Sequence, residues 1–208
     1  LRTFLATLGI AIGVANIVAL ISVSEIARAQ AVKLISELGA NTIFVTPYFE
    51  LTESPFEQAT TAMSTLPMDY YAFLREKPYS EVISPFLALP AFAAHKGNRA
   101  FATIVGSTPD VIKIRVYELK EGRFFTEAEA ENAERVAVLG FAIAQKLFAG
   151  EGAIGKAIVI KGEKFLVAGT LKEKGRIGFE DFDVRLFIPL KAAQELFNYP
   201  YLHTIAIK

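Results

Sequence analysis

From Thr3 to Ser24 the chain carries no charge and is almost wholly apolar, with Arg2 before the run and Glu25 after it. No other stretch limits the fold so strongly. As a helix rising about 1.5 Å per residue, such a run crosses a hydrocarbon core of roughly 30 Å. The remainder mixes polar and apolar residues and reads as a folded head of about 180 residues, enough for one or two small domains with real cores.

Two other readings of the run are weaker. A cleaved signal peptide has a short apolar centre and an A-x-A site, and Ala27-Arg28-Ala29 fits the latter. The run exceeds the usual signal-peptide centre, however, and helix-forming sequence continues past it. A buried core helix is the other alternative. Arg2 is the only charge at the start, and it places that end in the cytoplasm and the head outside it. The first residue is Leu1, so the chain is expected to be a segment of a longer protein.

Within the run, Gly9-Ile10-Ala11-Ile12-Gly13 is a G-x-x-x-G motif. Ala6, Gly9, Gly13 and Asn16 share one face at helical spacing. Small residues let helix backbones approach closely where lipid gives no hydrophobic drive, and an amide such as Asn16 is costly against lipid. The face is therefore expected to pack against other helices. No Pro or Gly interrupts the sequence until Gly39, a natural cap. A helix from Thr3 to Leu38 would measure about 54 Å, leaving about 20 Å beyond the membrane as a stalk.

Along the head, Asn41–Thr46 reads as a strand and Pro47–Leu66 as a long polar loop. Pro67–Glu76 reads as a helix with Pro at its start. Glu81–His95 and Arg99–Ser107 form two strands around Lys96-Gly97-Asn98. Thr108–Val116 is a short helical or turn segment, and Thr126–Glu134 an acidic helix. Next come strand Arg135–Gly140, helix Phe141–Phe148 and a hairpin of Lys156–Ile160 and Lys164–Thr170. Strand Val184–Pro189, helix Lys191–Phe197 and strand His203–Ile207 close the chain. Strands and helices alternate with short links, giving an α+β class.

Lys+Arg 22 balances Asp+Glu 22, which leaves no broad electrostatic footprint for nucleic acid. The absence of cysteine excludes disulfides and thiolate chemistry. Gly150-Glu151-Gly152-Ala153-Ile154-Gly155 matches G-x-G-x-x-G, but the order here is helix, loop, strand. A phosphate loop needs strand, loop, helix, and Ala157 stands where Mg²⁺ would need a hydroxyl. His95 and His203 read as surface or satisfied core histidines. Glu180, Asp181 and Asp183 read as a solvated charged turn lacking calcium-loop spacing. No residues form a catalytic set, so catalytic, cofactor and metal residues are all expected to be none.

Three collinear stretches resemble the MacB-like permeases of ABC transporters. One joins Leu8-Gly9-Ile10 and Ile12-Gly13-Val14 to Leu38-Gly39-Ala40-Asn41-Thr42-Ile43-Phe44-Val45. Another runs from Val105-Gly106-Ser107-Thr108-Pro109-Asp110 to Leu119-Lys120-Glu121-Gly122-Arg123-Phe124-Phe125. The last holds Val136-Ala137-Val138-Leu139-Gly140, Leu147-Phe148, Ile154-Gly155-Lys156 and Phe165-Leu166-Val167-Ala168-Gly169. Phe187-Ile188-Pro189-Leu190 and Gln194-Glu195-Leu196-Phe197 continue it.

The resemblance implies a first membrane helix and stalk over 1–38 and a two-lobed extracytoplasmic domain. A mixed α/β lobe would be 39–106 with 184–208, and an inserted mainly-β lobe 107–183. It also implies a permease subunit in the cell (inner) membrane that pairs as a dimer with a second copy or homologue. Its partner would be a cytoplasmic ABC-type ATPase holding ATP and Mg²⁺, with no cofactor in this chain. The subunit would be a mechanotransmitter for export, extraction or signalling, with an extracytoplasmic adaptor or cargo protein as a further partner. Tyr48, Phe49, Leu51 and Phe56, apolar residues in the polar Pro47–Leu66 loop, are the candidate partner contacts. The rival class is a membrane-anchored extracytoplasmic sensor or adaptor without transport activity.

Overall fold

Arg2–Glu37 is one unbroken helix, α1, continuing well past the apolar run. The computed structural model describes residues 2–37, 42–47, 65–77, 81–177 and 180–208. The cap expected at Gly39 lies outside them. Leu8–Gln30 is long and apolar enough to span a bilayer, and none of it is buried among the described residues.

Asn41–Lys208 forms a second unit. Its elements are β1 (Ile43–Val45), α2 (Met68–Arg75), β2 (Ile83–His95), β3 (Asn98–Ser107), α3 (Val111–Arg115), β4 (Leu119–Gly122), α4 (Glu127–Glu131) and β5 (Val136–Leu139). α5 (Phe141–Phe148), β6 (Ala157–Ile160), β7 (Glu163–Leu171), β8 (Arg176–Ile177), β9 (Glu180–Asp181), β10 (Arg185–Pro189), α6 (Leu190–Phe197) and β11 (Thr204–Ile207) follow.

One mixed sheet runs β1-β11-β2-β3-β10-β5-β7-β4, and β6 pairs both β2 and β7. That double pairing closes β2, β3, β10, β5, β7 and β6 into a ring. β10 runs parallel to β3, and β5 parallel to β7. Strands of 39–106, of 107–183 and of 184–208 thus share one sheet. Both hairpins turn through a Lys-Gly pair with positive φ, Lys96 at 43° with Gly97 at 90° and Lys161 at 49° with Gly162 at 92°. This is the backbone that a two-residue turn needs to match strand twist. In the first hairpin Asn98 already belongs to β3.

The acidic stretch is shorter than expected: α4 spans Glu127–Glu131, and Ala133 turns left-handed at φ 52°. Thr126 and Glu129 form a reciprocal capping box at its start. β4 is a strand that local pattern leaves unassigned.

Apolar side chains leave the sheet on both faces. Leu87, Ala102, Ile158, Ile160, Phe165 and Leu186 build one core with Ile143 and Leu147 of α5 and Ala192 and Ala193 of α6. The opposite face carries a second core of Phe86, Val105, Ile114, Phe125, Val138 and Phe187. Two glycines are set by close approach. A Cβ on Gly140 would meet the carbonyl oxygens of Asp183 and Arg185 at 2.5 and 2.6 Å, and one on Gly106 would collide with Cβ of Ala193. By contrast, Gly150, Gly152 and Gly155 of the failed nucleotide motif have nothing within 4 Å.

Candidate functional site

On α1, Gly9 and Gly13 leave a shallow strip: nothing lies within 4 Å of where a Cβ would stand. Ile10, Ile12 and Ile17 beside it are 68, 54 and 61% exposed. Ser22 answers its own hydroxyl by donating to the Val18 carbonyl at 2.9 Å. Asn16 is exposed, and among the described residues its carboxamide has no side-chain hydrogen bond. The side chain of Ala6 lies outside the described residues.

Tyr48, Phe49, Leu51 and Phe56 also lie outside them. The described residues flanking their loop form an apolar groove of about 450 Å³ between β1 and α2, lined by Val45, Asp69, Tyr70, Phe73 and Leu74. Tyr70 and Phe73 are more than half exposed. The amphipathic α2 explains this: Tyr71 and Leu74 pack on the core, while Tyr70 and Phe73 point away.

A third feature has no local sequence signal. Glu180 Oε2 accepts from Arg115 at 3.3 Å and from Arg185 at 2.9 Å. Arg185 also donates to the Tyr117 hydroxyl at 3.2 Å, and burial pushes that hydroxyl above its ordinary pKa. Lys174 Nζ donates to the Arg115 carbonyl at 2.5 Å. The acidic turn is therefore not simply solvated. Asp183 is buried, and its two carboxylate oxygens accept from the backbone N–H of Lys174 and of Gly175. The carboxylates serve arginines and backbone, so their bonding is structural.

Each histidine has one hydrogen-bond contact through Nδ1, and the buried His203 Nε2 has no partner among the described residues. His95 packs on Phe148 at 4.4 Å between ring centroids, its Nδ1 2.7 Å from the Ala157 carbonyl. His203 Nδ1 accepts from the Ala88 N–H at 3.3 Å, which puts its proton on Nε2. Burial holds His203 below its ordinary pKa. Among the described residues no group of acidic or imidazole side chains could hold a metal ion.

The described residues combine an apolar helix with a mixed α/β head that exposes apolar side chains. The chain belongs to the MacB-like periplasmic core domain family, whose model matches residues 3–208. It is 33% identical over 190 residues to the macrolide export ATP-binding/permease protein MacB of Syntrophobacter fumaroxidans, covering 89% of this chain and 26% of that protein. The pyoverdine export ATP-binding/permease protein PvdT of Pseudomonas aeruginosa is 31% identical over 193 residues, 92% of this chain and 28% of that one. The chain thus spans about a quarter of the length of these relatives.

Two crystal structures share the fold at 18% identity. The periplasmic region of MacB from Actinobacillus actinomycetemcomitans superposes with a TM-score of 0.70, covering 84% of this chain and 77% of that one. The extracellular domain of the Gram-positive transporter YknZ gives 0.65, covering 81% and 83%.

Proposed function

We propose that the chain is the first membrane helix and extracytoplasmic domain of an ABC transporter permease, acting as a non-catalytic mechanotransmitter. ATP and Mg²⁺ act on a partner ATPase, whose cycle moves α1, and α1 moves the head. The observation that carries this reading is the continuity of α1: one helix from Arg2 to Glu37, with no break where its apolar part ends. A stiff rod transmits displacement, whereas a flexible linker absorbs it.

The second half of the reading is assembly. The Ala6, Gly9, Gly13 and Asn16 face packs against other membrane helices, and two permease copies or homologues pair in the inner membrane with their heads outside. The small-residue strip and the unanswered Asn16 amide support this, since lipid satisfies neither. Tyr48, Phe49, Leu51 and Phe56 contact an adaptor or cargo protein, and the apolar α2 groove beside their loop supports that placement.

Spin labels at exposed Lys161 in both permease copies test the reading, in proteoliposomes with the ATPase. An inter-label distance that changes with ATP supports mechanotransmission. A distance indifferent to nucleotide, in a complex that still hydrolyses ATP, favours a static sensor or adaptor. Deleting residues 50–62 should weaken adaptor binding; unchanged binding removes the loop from the contact.

A further inference from the structure

The sheet face that carries the second core at one end is bare at the other. Phe86 of β2 and Val105 of β3 lie under that core. Further along the same face come Pro90, Phe92 and Ala94 of β2 and Thr103, Phe101 and Arg99 of β3, in cross-strand pairs. β6 adds Ala157 and Val159, and β7 adds Leu166 and Lys164 opposite them. Ala94 pairs with Val159, so Arg99, Ala94, Val159 and Lys164 form one row across four strands.

An antiparallel sheet with one face in water alternates polar residues outward. Here the outward positions are mostly apolar. Phe92, Phe101 and Leu166 are 52, 56 and 50% exposed, and the two phenyl rings pack edge to face at 5.2 Å. Exposed apolar surface of this extent on a soluble head marks a contact site.

We propose that this outer wall of β3-β2-β6-β7 docks an acidic, apolar-faced segment of a partner protein. Charge complementarity chooses the occupant. Arg99 lies 4.9 Å from the Phe92 ring, and Lys164 ends the row. Among the described residues neither forms an ion pair, and neither does Lys96 at the hairpin tip. Lys156 pairs with Glu151 at 2.8 Å, and Lys156, with smaller effects from Lys96 and His95, holds that carboxyl below its ordinary pKa. An open groove of about 680 Å³ between the hairpins is lined by Lys96, Lys156 and Lys164. The wall therefore offers fixed cations on an apolar floor, which a chain alternating Glu with Val or Leu answers on both counts. Symmetric pairing of two copies through this wall would set Arg99 and Lys164 against like charges.

The inference rests on the head working through contacts and is independent of coupling to an ATPase. Its test uses the full permease in nanodiscs and two labelled peptides with the same apolar pattern, one alternating with Glu and one with Lys. Fluorescence anisotropy should show the Glu peptide binding and the Lys peptide not. Arg99→Glu with Lys164→Glu should weaken the Glu peptide about tenfold or more and admit the Lys peptide. Phe92→Ala with Phe101→Ala should also weaken the Glu peptide, with an unchanged melting temperature reporting an intact head. Three results would overturn the proposal: both peptides bind alike, the charge swap leaves binding unchanged, or neither peptide binds. It also fails if the swap instead abolishes binding to anionic phosphatidylglycerol vesicles, or self-association in sedimentation, with peptide binding unaffected.

Discussion

The guanidinium carbon of Arg115 sits 4.6 Å from the centroid of the Phe44 ring. Phe44 belongs to β1, a three-residue strand that pairs with β11 at the edge of the sheet. Arg115 ends α3 and bonds Glu180, which also holds Arg185 of β10. The edge strand that follows the helix in sequence is thereby tied to the middle of the sheet by a side-chain route as well as a backbone one.

Removing either end of that route should loosen β1 without unfolding the head. Phe44→Ala forfeits a cation–π contact and partly buried ring area, about 1–2 kcal/mol. Glu180→Gln leaves two nearly buried guanidinium groups sharing a neutral acceptor, a loss of about 1–2 kcal/mol. Denaturant melts of the head give both values. The double variant should cost less than the sum if the two residues act along one route.

Gly140 should tolerate no side chain. A methyl there meets two backbone carbonyls at 2.5 and 2.6 Å, and backbone does not step aside as a flexible side chain does. Gly140→Ala should cost roughly 1–3 kcal/mol, read as a lower denaturation midpoint. Gly152→Ala, which meets nothing within 4 Å, should leave the midpoint almost unchanged.

Acid should weaken the head in two windows, because His203 and a set of carboxylates, Glu129 foremost, bind protons less readily folded than unfolded. Burial depresses the His203 imidazole, so the folded state holds fewer protons there. Its contribution is full above the ordinary histidine pKa and is lost as pH falls below about 6.5 toward the depressed value. Protonation also ends acceptance from the Ala88 N–H. Glu129 is pushed down to about 2, chiefly by its hydrogen bonds from Arg123. Its contribution is full above about 4.5 and disappears between there and about 2. Melting temperatures across pH should fall in both windows. His203→Gln, which keeps an acceptor, should flatten only the first.

How much of this was legible in the sequence depends on range. The Lys96-Gly97 and Lys161-Gly162 turns were readable because their conformation is a local demand. The helix Phe141–Phe148 was readable from its periodicity and the glycine at its exit. The end of α4 is not legible because composition alone does not show that Ala133 turns left-handed, although Thr126 with Glu129 is itself a visible start signal. Closure of the ring rests on two residue pairs between β2 and β6 and on the parallel β3–β10 contact, neither of which leaves a local pattern. In the Arg115–Glu180–Arg185 cluster Arg115 lies 65 residues from Glu180, so only the fold brings it to the pair. The glycines of the family-like stretches, Gly106 and Gly140, were visible as letters, and the reason for them lies in backbones that meet across elements.

The small strip on α1 makes its own prediction. Gly9→Leu with Gly13→Leu adds bulk to a face where nothing now stands within 4 Å. The full permease carrying both should fail to co-purify with its second copy, while the separated head melts as before. Intact assembly would mean the strip faces lipid.

The most direct test of the central claim is a break in the rod. Ala31 lies within α1, beyond the apolar run, where Pro removes a backbone hydrogen bond and kinks the helix. In the full transporter with its ATPase, Ala31→Pro should leave ATP hydrolysis running and the head folded, yet abolish ATP-driven export or extraction. Export at the unaltered rate in that variant would contradict the account.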